Sequence, residues 1–561
     1  MPVSGTFIRI HSEYCDMDVY DHKPLISHYD SWETAHDQFE WDIPERYNIA
    51  TDLVSSHGDR RGRLALVFED QDGGVEKYTF YDLDVRSNQI ANLLADLGVT
   101  RGDRVAVSLP NVPETVLLHF AVYKLGAVIV PLSKLFGTDA MAYRLRDSGS
   151  TVLVTNDAGL EKVEDIAELP ALETLVSLKA DERSDVNLRE RYPTYSRSFE
   201  TVETHRDDDA LLIYTSGTTG DPKGVLHSHQ YVAGYYPGFE MWNDLDVGDD
   251  QLYWSPGDWA WVGSLVAHLY CAWHFGKPYV TRLKGGGFDP KWAFETIERH
   301  GITNAFIPPT ALKMMMGLGD EIEQYDIDDL DNISTGGEPC GAEVVRWVED
   351  ELDATLVDLF GQTEANMLVA NAPSWFDIKP GSMGKPVPGR TIELIDDDGE
   401  PVDVGEMGEI ALRQPDPVIF KRYWNKPEKT EEAFVGDWMC TGDMAEKDDD
   451  GYFWYQSRKD DVIITAGYRV GPAEVEETLV EYPDVENAAV VGEEDAERGE
   501  IIKAFVKLAG ETEPSDDLRN DITQFVKDRL AKYEYPREIE FVESFPTTTT
   551  GKVQRRKLRE E

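Results

Sequence analysis

The segment Tyr214-Thr-Ser-Gly-Thr-Thr-Gly-Asp-Pro-Lys-Gly224 packs three glycines, a proline, four Ser and Thr hydroxyls and a lysine into eleven residues. Glycine lets the backbone turn its N–H groups toward one point, and successive N–H groups facing inward form a concave anion site. Lys223 adds a positive charge to it. The spacing is not that of a Walker A loop, GxxxxGK followed by Ser or Thr, so the phosphate chemistry it suggests belongs to another architecture. The apolar run Ala210 to Ile213 leads straight into the segment, which predicts a loop leaving the end of a buried strand rather than a flexible surface loop.

Such a loop needs a scaffold. From about residue 80 to 360 short apolar runs alternate with helical periodicity, the texture of an α/β protein built from parallel βαβ units. Ile90, Leu93, Leu94 and Leu97 recur at i, i+3, i+4 and i+7, predicting a helix that Gly98 ends. Val105, Val107 and Leu109 then alternate as a strand. A helix from about Pro113 to Leu125 should feed a strand at Val128 to Val130, and a helix near Trp292 to His300 a strand at Thr303 to Ile307. Past about residue 385, Thr391 to Ile395 and Glu409 to Leu412 are short β-like runs broken by Asp-Gly and Gly-Glu turns, predicting a small β subdomain. From about Asp460 a fresh α/β pattern begins, with strands near Ala488 to Val491 and Ala504 to Leu508 and a helix near Leu518 to Leu530. The expected division is a large N-terminal domain, residues 1–459, of two βαβ-type sheets plus the β subdomain, and a small α+β C-terminal domain, residues 460–561.

The chain carries 107 Asp and Glu against 54 Lys and Arg, a formal charge of −53, which repels nucleic acid and anionic membranes. The acidity is spread along the whole chain, a pattern that suits salt-rich surroundings of halophilic type. Cys15, Cys271, Cys340 and Cys440 lie far apart with no CxxC spacing, which fits a reducing compartment. No basic start followed by an apolar run marks a signal peptide. The longest apolar stretch, Ala260 to Trp273, contains His268 and falls short of the roughly 17 residues that span a bilayer. These features predict a soluble cytoplasmic protein without integral membrane contact.

Together with the motifs downstream of it, the glycine-rich segment resembles the phosphate loop of the adenylate-forming (AMP-binding) superfamily of acyl-CoA synthetases, peptide-synthetase adenylation domains and luciferases. Gly336-Gly337-Glu338-Pro339 resembles that family's adenine-contacting turn, and Asp358-Leu359-Phe360-Gly361-Gln362-Thr363-Glu364 its strand-to-loop motif. Thr441-Gly442-Asp443 looks like the segment that holds the ribose. Arg458-Lys459-Asp460-Asp461, followed by Ala466-Gly467-Tyr468-Arg469-Val470-Gly471-Pro472, looks like the inter-domain hinge, and Thr550-Gly551-Lys552 like the mobile catalytic lysine. The motifs stand in the family's order across residues 210 to 552. In that family Pro-Lys-Thr usually precedes the last motif, whereas Thr547 stands here for the first lysine.

The resemblance implies ATP, Mg²⁺ and coenzyme A as co-substrates or cofactors, with a small carboxylate as partner. A carboxylate attacking the α-phosphate brings two anions together, so positive charge must be assembled first. Thr215, Ser216, Gly217, Thr218, Thr219, Gly220 and Lys223 would cradle the β- and γ-phosphates, Thr363 would meet the α-phosphate, and Glu364 would hold Mg²⁺, which accepts one or two carboxylates plus phosphate oxygens. Asp443 and Arg458 would hold the ribose. Lys552 would bridge the attacking carboxylate and the α-phosphate, stabilising charge that develops in the transition state. A small mobile C-terminal domain pivoting at Asp460 would then replace Lys552 by a thiol, with Ala466, Gly467, Tyr468, Arg469, Arg498 and Lys527 facing CoA.

Acetate-specific relatives carry a tryptophan where this chain has Gly361, so loss of an indole of roughly 150–250 Å² predicts a pocket that admits more than acetate. Trp261, in Asp258-Trp259-Ala260-Trp261, resembles the pocket wall of the medium-chain synthetases. The expectation is short to medium aliphatic acids, with acetate or propionate as the alternative and branched and aryl acids left open. Only nine residues follow Lys552, which predicts no attached carrier domain. A non-catalytic acyl or nucleotide sensor is the rival from another class, against which Lys223, Glu364, Asp443 and Lys552 all stand.

Overall fold

A computed structural model describes residues 8–9, 18–19, 25–57, 61–215, 222–465, 468–495, 498–510, 512–530, 534–547 and 553–559. Two large sheets dominate. In the first, eight strands run in the order Arg422–Tyr423, Lys223–Ser228, Asp209–Thr215, Val128–Pro131, Arg104–Ser108, Val152–Thr155, Thr174–Ser177 and Val186–Asn187. Its middle is parallel, while Asp209–Thr215 and Lys223–Ser228 form an antiparallel hairpin that Arg422–Tyr423 extends at the edge. The second sheet has nine strands; Thr355–Phe360, Asn332–Gly336, Asn304–Phe306, Tyr253–Trp254, Tyr279–Arg282 and Leu64–Glu69 are its parallel run. Strands of this kind are buried on both faces, which is why they read as continuous apolar runs.

The helices follow from local chemistry. Phe80–Asp96 starts at Thr79, whose hydroxyl accepts from the Asp82 N–H while the Asp82 carboxylate accepts from the Thr79 N–H, and it ends before Gly98, whose φ of 91° no side-chain-bearing residue adopts cheaply. Pro113–Lys124 opens on a proline, where the missing N–H costs nothing, and is buried throughout. The apolar stretch near residues 260–273 is a core helix, π-wound over Gly263–Tyr270 and continuing as Cys271–His274. It packs in the central cluster with Phe120, Tyr123, Tyr236, Phe239 and Trp242. Among the described residues no helix is long and apolar enough to cross a membrane.

A third, five-stranded antiparallel sheet holds Ile392–Ile395, Gly408–Arg413, Trp438–Lys447, Phe434–Val435 and Phe453–Arg458. The fourth holds Ile463–Thr465, Tyr468–Val470, Val485–Asp495, Gly499–Leu508 and Glu538–Phe541, with a core of its own. The helix Pro472–Val480 lays this last unit against Phe453–Arg458, so closely that a Cβ on Gly471 would come within 2.8 Å of the Gln456 carbonyl oxygen.

The core contains titratable groups with a consequence for stability. His119, His227, His229 and His268 are fully buried, and desolvation depresses each imidazole to about 3. Such a group stabilises the fold above its unfolded value near 6.5 and loses that contribution as pH falls toward 3. Burial instead raises the Glu240 and Glu477 carboxyls to about 7, so these stabilise below about 4.5 and lose the contribution as pH rises to 7. Between pH 6.5 and 5.5 each histidine loses on the order of 1 kcal/mol, while Glu240, Glu477 and Asp358, whose carboxyl burial also raises, return a comparable amount each. Because the two sets oppose each other, Glu240→Gln, which removes one of the gains, should make the guanidinium denaturation midpoint fall more between pH 7.5 and pH 5.5 than it does in the parent at the same salt; an unchanged pH dependence contradicts the burial of this carboxyl.

Candidate active site

Three sheets meet at one point. The first sheet's hairpin sets Thr215 opposite Lys223; Ser216, Gly217, Thr218, Thr219 and Gly220 lie outside the described residues. Lys223 reaches across to the edge strand, where Val225 pairs with Tyr423. Its Nζ donates to Tyr423 Oη at 3.2 Å and sits 4.3 Å from the ring centroid, and Tyr423 Oη donates to Glu364 Oε1 at 2.7 Å.

Glu364 arrives from the second sheet, on the turn that follows Thr355–Phe360, and is 8% exposed. That turn is braced from three sides. Gln362 Nε2 donates to the Thr441 carbonyl at 2.9 Å, Tyr231 Oη donates to the Thr363 carbonyl at 3.0 Å, and Phe420 N donates to the Glu364 carbonyl at 2.8 Å. Tyr231 is backed by Tyr235, whose hydroxyl donates to it, and by the His227 ring stacked at 3.6 Å. The chain from Lys223 to Tyr235 thus supplies the lysine and also buttresses the turn carrying Thr363 and Glu364.

The third sheet brings Asp443 and Arg458 together by strand register, and Arg458 Nη1 donates to Asp443 Oδ2 at 2.8 Å and to the Thr441 carbonyl at 3.2 Å. Gly442, with φ of 70°, turns the chain so that its N–H donates to Glu409 Oε1 at 2.8 Å. On the second sheet Gly336 pairs with Leu359, and a Cβ on Gly336 would lie 2.6 Å from the Leu359 carbonyl oxygen. A Cβ on Gly337, at φ of 85°, would meet nothing within 4 Å, so this turn faces open space. Glu338 accepts from the Thr310 hydroxyl, and Pro339 is exposed. Asp358 Oδ1 is buried without a hydrogen-bond partner among the described residues, and desolvation pushes this carboxyl well above the usual range.

The electrostatics at Lys223 are the reverse of the chain as a whole. Burial lowers its ammonium, Glu364 raises it, and Arg458, Lys429 and Lys426 lower it further. On a molecule of formal charge −53 the charges of three further cations thus reach Lys223, although Lys429 is exposed and paired with Glu432 at 2.6 Å and Lys426 donates to the Pro222 carbonyl at 3.1 Å. Among the described residues no cluster of three or more His, Cys, Asp and Glu side chains could cage a metal ion. Glu364 Oε1 is taken by Tyr423, while Oε2 accepts no hydrogen bond among those residues. A single free anionic oxygen fits a hard divalent cation whose other ligands are phosphate oxygens.

Two residues were expected on the acyl side. Trp261 is half-buried, edge-to-face with Phe136 at 6.0 Å and grouped with Met141, Tyr214 and Leu226. A Cβ on Gly361 would instead lie 2.1 Å from Asn366 Oδ1 and 2.7 Å from the Met367 nitrogen. The missing side chain points toward Asn366, within its own turn.

Asp460 sits in the single turn Lys459–Asp461. Just before it, Lys459 Nζ pairs with Asp397 at 2.7 Å and Glu409 at 2.9 Å in the third sheet; just after it, Asp461 pairs with Arg559 at 2.9 Å in the C-terminal helix Arg555–Arg559. Neighbouring side chains are thus tied to different bodies. Lys552, Ala466 and Gly467 lie outside the described residues, as does the Arg469 side chain; Thr547 and Val553, on either side of Lys552, form an antiparallel bridge. Tyr468 is 51% exposed beside Ile464 at 54%. Arg498 is half-buried with its N–H on Asp495, and Lys527 ends the helix Asp516–Lys527 with Nζ 4.3 Å from the Tyr535 ring centroid. No described contact links Arg498 or Lys527 to the Lys223 cluster.

Sequence reasoning missed Tyr423, Lys426 and Lys429. The available signal was local charge inversion: Lys421, Arg422, Lys426 and Lys429 fall within nine residues of an otherwise acidic chain.

Comparison with known proteins agrees with this geometry. The AMP-binding enzyme family matches residues 55–424, and the AMP-binding enzyme C-terminal domain matches residues 474–552. The chain is 37% identical to the acetyl-coenzyme A synthetase of Bacillus subtilis over 97% of its length and 95% of that protein's. It is 34% identical to the mitochondrial acyl-coenzyme A synthetase ACSM4 of Homo sapiens, covering 92% of this chain and 91% of that one. The fold superposes on the anthranilate CoA ligase AuaEII, solved with anthranoyl-AMP, with a TM-score of 0.84 and 32% identity over 92% of this chain and 98% of that one. The chain belongs to the AMP-binding enzyme family, in its branch of AMP-forming acyl-CoA synthetases.

Proposed function

We propose that this ligase joins a short- to medium-chain carboxylate to AMP at the Lys223–Glu364–Asp443 centre and then passes the acyl group to coenzyme A. The observation that carries this reading is that three sheets bring two cation–carboxylate sets together: Lys223 linked through Tyr423 to Glu364, and Arg458 on Asp443, joined by Gln362 and Arg458 both donating to the Thr441 carbonyl, in a chain of charge −53. A polyanion that must meet a second anion needs such a locus, and a surface this acidic would otherwise turn both away. Kinship to acetyl- and mitochondrial acyl-coenzyme A synthetases supports an aliphatic acid, and kinship to an anthranilate ligase keeps aryl acids in view.

Lys223 and the preceding N–H groups neutralise the distal phosphates of ATP, and the hydroxyl of Thr363 meets the α-phosphate. Glu364 would hold Mg²⁺, whose charge, when bound, offsets that of the leaving pyrophosphate. Asp443 accepts from the ribose hydroxyls, held in place by Arg458. Trp261 flanks the acid. Lys552 stabilises the transition state of adenylation, and rotation at Asp460 withdraws it so that the thiol of CoA can attack the acyl carbonyl and release AMP.

The test is pyrophosphate release and thioester formation across a panel of aliphatic, branched and aryl acids, with and without CoA. Pyrophosphate with short to medium aliphatic acids, and acyl-CoA only when CoA is present, is the expected result. No pyrophosphate with any acid would indicate a sensor, and pyrophosphate without a thioester would indicate an adenylating enzyme that serves another acceptor.

A further inference from the structure

Tyr423 stands between the two opposite charges of the site. Its Oη accepts from Lys223 Nζ at 3.2 Å and donates to Glu364 Oε1 at 2.7 Å. Lys223 and Glu364 form no direct ion pair among the described residues, although the charge of Glu364 raises the Lys223 ammonium. The phenol is held firmly. Its residue pairs with Val225 across the sheet edge, its N–H donates to Thr430 Oγ1 at 3.0 Å, and its ring lies 4.7 Å from that of Phe420.

We propose that Tyr423 is a positioning residue that insulates Lys223 from Glu364, keeping the ammonium for the triphosphate and the carboxylate for the divalent cation. The inference rests on the reading of this site as the ATP and Mg²⁺ centre. Opposite charges in a half-buried site attract strongly because the local dielectric is low, and with nothing between them they collapse into a direct pair. Each incoming nucleotide would then have to break that pair, and its strength would be subtracted from binding. A phenol that accepts from the cation and donates to the anion satisfies both without neutralising either. The ring face gives the ammonium a second, non-ionic resting contact at 4.3 Å. The carboxylate is then turned with one oxygen on the phenol and the other left for the metal ion.

Tyr423→Phe removes the hydroxyl and keeps the ring. Isothermal titration calorimetry with ATP in excess Mg²⁺, and with ATP plus a chelator, should show Mg²⁺-ATP bound about tenfold more weakly, or worse, as expected for loss of a hydrogen bond to charged groups. The melting temperature should stay at or above that of the parent, since a new direct ion pair replaces the bridge. In a Lys223→Met background, where no cation remains to pair, the same substitution should add almost nothing, so the double-mutant cycle should show coupling close to the whole effect. Parent-like affinity in Tyr423→Phe, an equal loss in both backgrounds, or a clearly lower melting temperature would each overturn the spacer role. Lys223→Met and Glu364→Gln serve as controls. If neither weakens Mg²⁺-ATP, the site reading itself is wrong; if they do and Tyr423→Phe does not, only the spacer role fails.

Discussion

Replacing Lys552 by alanine should lower acyl-adenylate formation by about a hundred- to a thousandfold while leaving thioester formation from preformed acyl-AMP and CoA within about threefold of the parent. The asymmetry follows from when the ammonium is needed. During adenylation, negative charge accumulates between the attacking carboxylate and the α-phosphate, and a cation placed there stabilises the transition state more than the ground state. Once the mixed anhydride exists, a neutral carbonyl is attacked by a thiolate, and a lysine left in place would only obstruct it. The anchoring around Asp460 suits the proposed pivot: Lys459 before it is held by Asp397 and Glu409, while Asp461 after it is held by Arg559, on the helix Arg555–Arg559. Rotation there, with the contact of Pro472–Val480 on Phe453–Arg458 released, would carry the lysine away while the nucleotide stays in place. Single-turnover assays of the two half-reactions, run separately, check this; equal losses in both would refute the two-state assignment.

Asp443→Asn should behave differently, weakening ATP in the first half-reaction and acyl-AMP in the second, each by about a hundredfold or more, because two hydrogen bonds to a charged acceptor are weakened together. The ribose stays put while the lysine and the thiol exchange places, so its holder serves both steps. Arg458 adds to the effect. With the carboxylate neutralised, its guanidinium loses the charged partner at 2.8 Å that fixes it, while the charge of Lys223 still acts against it. KM for ATP and for acyl-AMP should rise together in steady-state assays, and a rise in only one of them contradicts a shared ribose site.

Much of this site was legible in the sequence because its parts are local. A glycine-rich loop after an apolar run, a Gly-Gly turn ending a strand, and an Asp fifteen residues from an Arg across an Asp-Gly turn are short patterns whose geometry is set within a few residues. The parallel strands and their helices were readable for the same reason, down to Gly98 and Pro113 as boundaries; Leu109 lies one residue past the strand Arg104–Ser108 because that strand ends where the chain turns into Pro113–Lys124.

What was not legible depends on pairing across long separations. Tyr423 matters only because a two-residue strand docks beside Val225, and nothing near residue 423 signals that register. The bracing of the Thr363 turn by Tyr231 and Gln362 is likewise a product of three sheets meeting. The surroundings of Gly361 were not legible for a related reason. A glycine is legible as an absent side chain, but the direction in which that side chain is absent is set by the backbone, and here it points at Asn366.

The most direct measurement tracks oxygen. With a carboxylate labelled by ¹⁸O at both oxygens, attack on the α-phosphate and later cleavage at the acyl carbon leave one labelled oxygen on the AMP, with none in pyrophosphate. Mass spectrometry of the AMP should find it. Unlabelled AMP, or label in inorganic phosphate, would mean that the acid never bonded to the α-phosphate, and the adenylate at the heart of this site would not exist.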